Sequence, residues 1–206
     1  MKNSQFTKKI MGLALICASI SVSANAVADD FVIDNAHSEL GFKIKHLVVA
    51  TVRGNFQKWG GAFNFDPKSG KISGLKIEIE TASISTSEAD RDKHLRSDDF
   101  FKSTQFPKAI FEASDFTAKK GKEVSVDGKL TMLGLTKPVK LKVTYAGDAV
   151  DPWQNTKHAF EVSGKIKRSD FGMTWNKDLD KGGLLLSDEV QLEIEAQAAA
   201  KPAEKK

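Results

Sequence analysis

Cysteine is almost absent from this chain of 206 residues. The single one, Cys17, lies inside an apolar run close to the N-terminus. Ile16 precedes it, whereas a lipoprotein signal needs a small residue at that position, so lipidation is not expected. If the N-terminal segment is removed, the remaining chain has no thiol. Disulfides, thiol nucleophiles and thiolate metal sites are then excluded.

Histidine is also scarce, and the four copies are far apart in the sequence: His37, His46, His94 and His158. None forms a helix-spaced pair, and no Asp or Glu joins them at a spacing typical of metal ligands. No glycine-rich phosphate loop and no serine nucleophile elbow occur either. The sequence therefore predicts no metal and no cofactor, with a metal site assembled from distant strands as the alternative.

The N-terminus has the order of a secretory signal. Three lysines fall within the first nine residues, residues 10–22 are uncharged and mostly apolar, and small residues follow up to Ala28. An apolar run this short does not span a bilayer, which needs roughly 20 residues. We expect residues 1–28 to be a cleavable signal peptide, with cleavage after Ala26 as the alternative, and a periplasmic protein without a stable membrane anchor.

Charge gives no reason to expect a nucleic acid or an anionic membrane as partner. The formal net charge is +4, and the signal holds three lysines and no acid, which leaves +1 after cleavage. The mature chain fits one domain over residues 29–196. Residues 197–206, rich in alanine and lysine, predict a disordered tail.

Alternation of polar and apolar residues dominates the mature chain. In one segment Leu40, Phe42, Ile44 and His46 share a face, as in a strand with one dry and one wet side. The predicted strands lie near residues 40–46, 53–65, 75–80, 109–118, 124–132, 139–145, 160–169 and 191–195. Eight such strands form either a sandwich or a barrel, and an eight-stranded barrel can hold one small ligand.

Three sites depart from a simple alternation of polar and apolar residues. Gly60 and Gly61 predict a bulge or a sharp bend in the second strand. Arg168 and Asp170 continue the inward face of the seventh strand, so an ion pair between them near a barrel mouth is possible. His46 is either a core histidine or a group that faces a ligand.

One helical segment is predicted at residues 87–98. Ser87, with Asp90 three residues later, resembles a capping box. Arg91 and Leu95 would share one face of the helix. A connection this long between antiparallel strands is unusual, because a hairpin needs only a few residues, so the segment is expected to cover something.

The charged stretch 91–101 has three interpretations. Asp92 and His94 could form an acid–base pair, although residues two apart on a helix do not face each other. Alternatively, Leu95, Phe100 and Phe101 plug the end of a barrel. The cationic side chains of the stretch could also donate to the polar head of a ligand.

Several motifs, taken together and in order, resemble the YceI-like family of secreted, lipocalin-like proteins. They are His37-Ser38-x-Leu40-x-Phe42-x-Ile44-Lys45-His46, Gly54-x-Phe56, Arg91-Asp92-Lys93-His94-Leu95-Arg96-Ser97-x-Asp99-Phe100, Phe106-Pro107-x-Ala109-x-Phe111, Gly128-x-Leu130-Thr131-x-x-Gly134-x-Thr136-Lys137-Pro138-Val139 and Arg168-Ser169-Asp170-Phe171-Gly172-Met173. Each is weak alone, but the ordered set covers nearly the whole mature chain.

The resemblance implies an all-β, eight-stranded antiparallel barrel with a short helix capping one end. It also implies non-enzymatic binding, transport or storage of a polyisoprenoid or similar long-chain lipid. The expected ligand-binding residues are Phe42, Ile44, His46, Phe56, Phe63, Ile79, Arg91, His94, Phe100, Phe111, Leu130, Met132, Val143 and Phe160, with His46, Arg91 and His94 at the head group. A lipid-headgroup enzyme using Asp92 and His94, a stress-related protein with a filled core, and a homodimer remain open.

Overall fold

The computed structural model describes residues 29–178 and 184–201. The predicted signal peptide and the last five residues of the predicted tail therefore lie outside the described residues. The strand segments are β1 (Asp29–Ile33), β2 (Glu39–His46), β3 (Ala50–Phe56), β4 (Trp59–Asp66), β5 (Lys71–Glu80), β6 (Ile84–Ser85), β7 (Lys108–Ala113), β8 (Phe116–Thr117), β9 (Glu123–Met132), β10 (Leu135–Val150), β11 (Thr156–Lys167) and β12 (Leu186–Ala200). One α-helix, α1 (Ala89–Arg96), and three 3-10 turns, Asn35–His37, Thr81–Ser83 and Arg168–Phe171, complete the described secondary structure.

Eight of these segments close a ring. The hydrogen-bonded order is β1–β4–β5–β7–β9–β10–β11–β12, and β12 pairs back with β1. Every pairing in the ring is antiparallel. The remaining segments continue barrel strands across short breaks, as β2 continues β1 after a 3-10 turn. The predicted eight-stranded antiparallel barrel with one short helix is confirmed.

The glycine pair in β4 lies where two strands approach closely. A Cβ at Gly61 would lie 2.1 Å from the carbonyl oxygen of Lys76 on β5, so only glycine fits there without a backbone shift. The pairing register then shifts between Ala62 and Asn64. The predicted irregularity exists, centred just after the glycines.

The helix begins differently from the sequence prediction. The N-cap is Glu88, whose carboxylate accepts from the amides of Asp90 at 3.2 Å and Arg91 at 2.6 Å. Ser87 has a φ of 60°, which places it in the left-handed region before the helix begins. The predicted Ser87 capping box is therefore wrong by one residue, and the acidic side chain of Glu88 satisfies the free amides.

The C-terminal end of the barrel extends beyond the predicted boundary. Strand β12 runs to Ala200, and its last residues pair with β1 in the register Phe31–Ala200. Ala198 is fully buried. Residues 197–200, expected in the tail, instead close the barrel, because β1 needs a hydrogen-bonding neighbour on that side.

The interior has two packed regions along the barrel axis. At the end formed by β1 and the turns after β4 and β10, aromatic rings of Phe31, Phe65 and Tyr145 close the interior. At the end near α1, Met132 and Phe171 belong to a second buried cluster. We call the first of these ends the floor of the barrel and the second its mouth.

Candidate functional site

A cavity of about 400 Å³ runs through the barrel interior from the mouth toward the floor. Strand residues of the barrel line most of it, and α1, the following loop and the segment after β11 contribute at the mouth. All fourteen sequence-predicted binding residues line it: Phe42, Ile44, His46, Phe56, Phe63, Ile79, Arg91, His94, Phe100, Phe111, Leu130, Met132, Val143 and Phe160. Alternation accounts for the inward direction of the eleven that lie on strands, and ligand binding by all fourteen stays a prediction.

The lining is apolar for most of its length. Isoleucine, leucine, valine and phenylalanine side chains from alternate strand positions supply it, as the period of two requires. Sequence reasoning missed Trp59, Met173 and Trp175, which also line the cavity. Met173 and Trp175 belong to an irregular segment after β11, where no periodicity signals the inward direction.

Polar lining is concentrated at the mouth, where the described residues place five side chains with ionisable or hydroxyl groups. These are His46, Thr86, Arg91, His94 and Arg168. They meet there because His46 pairs with the first residue of β12, α1 follows β6, and Arg168 follows β11. The cavity is thus amphipathic along its axis.

Asp92 anchors the helix to the barrel and does not face His94. Its Oδ1 accepts from the Thr86 amide at 2.7 Å and from the Thr86 hydroxyl at 2.5 Å, and the side chain is buried. Arg91 Nε donates to the same hydroxyl at 2.7 Å. The hypothetical Asp92–His94 dyad is therefore not formed in this arrangement, because Asp92 is committed to Thr86.

His94 instead pairs with Asp99, a residue that sequence reasoning did not single out. The distance from His94 Nε2 to Asp99 Oδ2 is 2.7 Å. The imidazole also packs edge-on against Phe100 and Trp175, with ring centroids 5.1 Å and 4.9 Å away. Its side chain is 41% exposed, so His94 lies where the cavity meets solvent.

Arg168 is a buried cation that fastens the irregular segment at the mouth. Its Nε donates to the Ser187 carbonyl at 3.0 Å, and its Nη1 donates to the carbonyls of Met173 at 2.8 Å and Trp175 at 2.7 Å. Burial lowers the pKa of Arg168. The predicted Arg168–Asp170 ion pair is not formed. The guanidinium donates to backbone carbonyls instead, and Asp170 is exposed.

The floor contains a separate set of hydrogen-bonded polar side chains, which lie outside the cavity lining. Tyr145 Oη lies 2.8 Å from His158 Nδ1 and 3.1 Å from Asp148 Oδ1. Burial, with Asp148 adding to it, raises the pKa of Tyr145 to about 12. Burial lowers the pKa of His158, which favours the neutral form of the imidazole beside Tyr145.

Within residues 29–178 and 184–201, no group of three or more His, Cys, Asp or Glu side chains is placed to hold a metal ion. No helix in these residues has the length and apolar character needed to cross a membrane.

Comparison with known proteins identifies the same architecture. A family model of the YceI-like domain matches residues 31–198. Protein YceI of Shigella flexneri is 40% identical over 169 residues, which make up 81% of this chain and 87% of that protein.

Solved structures agree with these matches. The YceI protein of Campylobacter jejuni superposes with a TM-score of 0.66 at 36% identity, covering 82% of this chain and 96% of that one. A polyisoprenoid-binding domain from Saccharophagus degradans superposes with a TM-score of 0.60 at 15% identity, covering 85% and 99% of the two chains; at that identity the likeness concerns the fold. With a family model that spans nearly the whole barrel, this chain belongs to the YceI-like domain family.

Proposed function

We propose that this protein binds a polyisoprenoid or a similar long-chain amphiphilic lipid in the barrel cavity and stores or carries it in the periplasm without altering it chemically. The observation that carries the proposal is the polarity of the cavity: apolar along its length, with its ionisable lining at the mouth. This distribution matches a ligand with a long hydrocarbon chain and one polar head.

The size of the cavity is in keeping with such a ligand. Its volume of about 400 Å³ falls in the range of roughly 300–1,000 Å³ that is usual for small-molecule sites. Burial of one five-carbon isoprene unit contributes roughly 4 kcal/mol gross, at ~0.8 kcal/mol per CH2-sized group. Several units would therefore offset the costs of association and ordering, so no strong polar contact is required.

Two further observations support the lipid class and the location. The S. degradans domain that shares this fold is a polyisoprenoid-binding domain. The basic start, short apolar run and small residues of the first 28 positions are typical of a secretory signal, which favours the periplasm.

The alternatives fit the molecule less well. A filled core does not accommodate a cavity of about 400 Å³. Catalysis through Asp92 and His94 would require Asp92 to leave two hydrogen bonds with Thr86. Lipid binding without a chemical reaction requires neither the loss of the cavity nor a rearrangement of Asp92.

The head group is proposed to lie among the cationic and imidazole side chains at the mouth. His94 is half-exposed beside the cavity, and Arg91 and His46 line the same end. Arg168 joins them, with its Nη1 and Nε already bonded to carbonyls. These groups donate hydrogen bonds, so they favour a head group with acceptor oxygens.

Native mass spectrometry of protein purified from its own periplasm tests the proposal directly. We expect a mass shift that corresponds to an amphiphile, which lipid extraction then identifies as a long-chain species. Absence of a bound amphiphile, together with no uptake of a long isoprenoid alcohol by delipidated protein, would overturn the proposal.

The head-group assignment is tested on α1 itself. His94→Ala should weaken binding of the extracted lipid, whereas Lys93→Ala, an exposed neighbour on the same helix, should leave it unchanged. Equal retention by both variants removes His94 from the head-group site. Turnover of the lipid that disappears in His94→Ala would instead establish an enzyme.

A further inference from the structure

The turn between β2 and β3 projects bulky apolar side chains into solvent next to the mouth. Val48 is 72% exposed and Val49 83%, and Leu47 is also exposed. The Leu47 amide donates to the Leu185 carbonyl at 2.8 Å, which brings exposed Leu184 beside them. We call Leu47, Val48, Val49 and Leu184 the apolar tip.

The backbone conformation of this turn is unfavourable for the large apolar residues that occupy it. Leu47 and Val48 have φ values of 53° and 66°, in the left-handed region where asparagine and glycine are favoured. A β-branched residue such as Val48 is a genuine outlier there. Their exposure means that packing within the protein does not compensate for the strain. Packing against the described residues therefore does not explain why large apolar side chains occupy this turn.

The tip is continuous with the opening of the cavity. His46, which immediately precedes the tip, and Leu185 and Leu186, which follow Leu184, all line the cavity. A lipid that leaves the cavity at this end therefore passes the tip first.

Charge beside the tip favours an anionic surface. Lys45 and Arg53 are exposed on the outer face of the same hairpin, and neither forms a salt bridge with the residues that the structure describes. Exposed Lys177 and Asp178, next to Leu184, add no net charge between them, so Lys45 and Arg53 leave a small positive excess on this side of the described residues. Apolar side chains that enter the acyl boundary, flanked by cations at head-group level, are the pattern of interfacial membrane binding.

We propose that the apolar tip docks this protein on the surface of an anionic phospholipid bilayer, with Leu47, Val48 and Val49 entering the interface. The cavity mouth is then held against the membrane. The protruding shape of the tip suits a deformable bilayer better than the pre-formed pocket that a protein partner would have to offer. Docking is independent of the cavity's contents, whereas its use for lipid exchange rests on the proposed function.

The double variant Leu47→Asn, Val48→Gly separates docking from folding. Asparagine and glycine suit the backbone of this turn, so the variant stays folded while it loses the apolar side chains. In flotation with vesicles of phosphatidylethanolamine and phosphatidylglycerol, we expect its bound fraction to fall roughly tenfold or more relative to the native chain. The matched control is Trp153→Gln, which removes an apolar side chain that is 80% exposed at the floor end and should leave vesicle binding unchanged.

A single introduced cysteine locates the contact. Cys17 lies in the predicted signal, so Val49→Cys gives the mature chain one thiol for an environment-sensitive fluorophore. Its emission should shift to the blue on addition of the anionic vesicles, and the same label at position 153 should not respond. Unchanged emission at position 49, equal flotation of native and Leu47→Asn, Val48→Gly proteins, or a blue shift caused by protein extract but not by vesicles would overturn the proposal.

Failure of docking is distinguishable from failure of lipid binding. Uptake of a detergent-solubilised isoprenoid alcohol should be equal in native and Leu47→Asn, Val48→Gly proteins. Transfer of the same lipid from vesicles should be slower in the variant, roughly tenfold. A protein that binds no lipid in either assay but still floats with vesicles refutes the proposed function and leaves docking intact.

Discussion

Replacing Val162 with phenylalanine should shorten the usable cavity without disturbing its mouth. Val162 lies on β11 between Val143 on β10 and Ile194 on β12, and all three line the cavity. It packs against the floor cluster while remaining partly accessible. A larger side chain at this position therefore extends into the inner part of the cavity, away from the mouth.

The expected loss follows from the volume that the new ring occupies. Phenylalanine has about four more side-chain carbons than valine, so it displaces close to one isoprene unit, worth roughly 3 kcal/mol gross at ~0.8 kcal/mol per CH2-sized group. Because the displaced unit no longer has to be ordered, the loss of binding free energy is reduced by about 1 kcal/mol. The net loss is about 2 kcal/mol, or about 30-fold in Kd, for a ligand that fills the cavity.

Titration with a series of isoprenoid alcohols of increasing length checks this value. Long members should lose affinity, and members too short to reach Val162 should bind as before. Ser163→Phe is the matched control, because Ser163 is exposed on the outer face of the same strand. Undiminished binding of the longest alcohol would refute a ligand in the inner cavity. A destabilisation of ~1–3 kcal/mol, the usual effect of overpacking, would show instead that no free space exists there.

Three further predictions concern stability. Leu47→Asn, Val48→Gly should raise the free energy of unfolding by about 1–2 kcal/mol, because it removes left-handed strain; a lower midpoint in urea would contradict the strain argument. Arg168→Met should cost roughly 3 kcal/mol, because it leaves buried carbonyls without a donor, and a urea midpoint shift worth less than ~1 kcal/mol would contradict it. Burial holds the pKa of His158 below the ordinary value of 6.5, so the unfolded chain binds more protons and native stability should fall as pH drops below about 6.5. His158→Asn, which keeps a partner for Tyr145, should flatten that part of the pH profile in thermal melts, and an unchanged slope would exclude His158 as its source.

The barrel strands could be predicted because each has one wet and one dry face. Phe42 and Ile44 face the cavity for the same reason that Lys43 and Lys45 face solvent, and a period of two is visible in the sequence alone. The inward direction of residues such as Phe111 and Phe160 follows in the same way. Whether the inward side chains leave room between them depends on barrel radius and rotamers, which periodicity does not encode.

The mouth was less predictable because its residues belong to segments without a period. Trp175 lies in an irregular stretch, and the carbonyls that bind Arg168 are backbone groups that any sequence would provide. The choice of Asp99 over Asp92 as the partner of His94 depends on the loop that follows α1. Composition alone predicts that Ala198 belongs to a tail, whereas its burial comes from the pairing of β12 with β1, a strand far away in the sequence.

The pairing of β1 with β12 also determines the order in which the protein can fold. Phe31 and Ala200 are neighbours in this pairing, yet nearly the whole chain separates them. Bringing them together costs the conformational entropy of closing a very long loop, so we expect these contacts to form last. Neighbouring hairpins such as β9–β10 can pair early, because their turns are short. A chain that is still being synthesised lacks β12, so it cannot close the ring. The cavity exists only once the last strand has arrived, and no shorter intermediate can enclose a lipid.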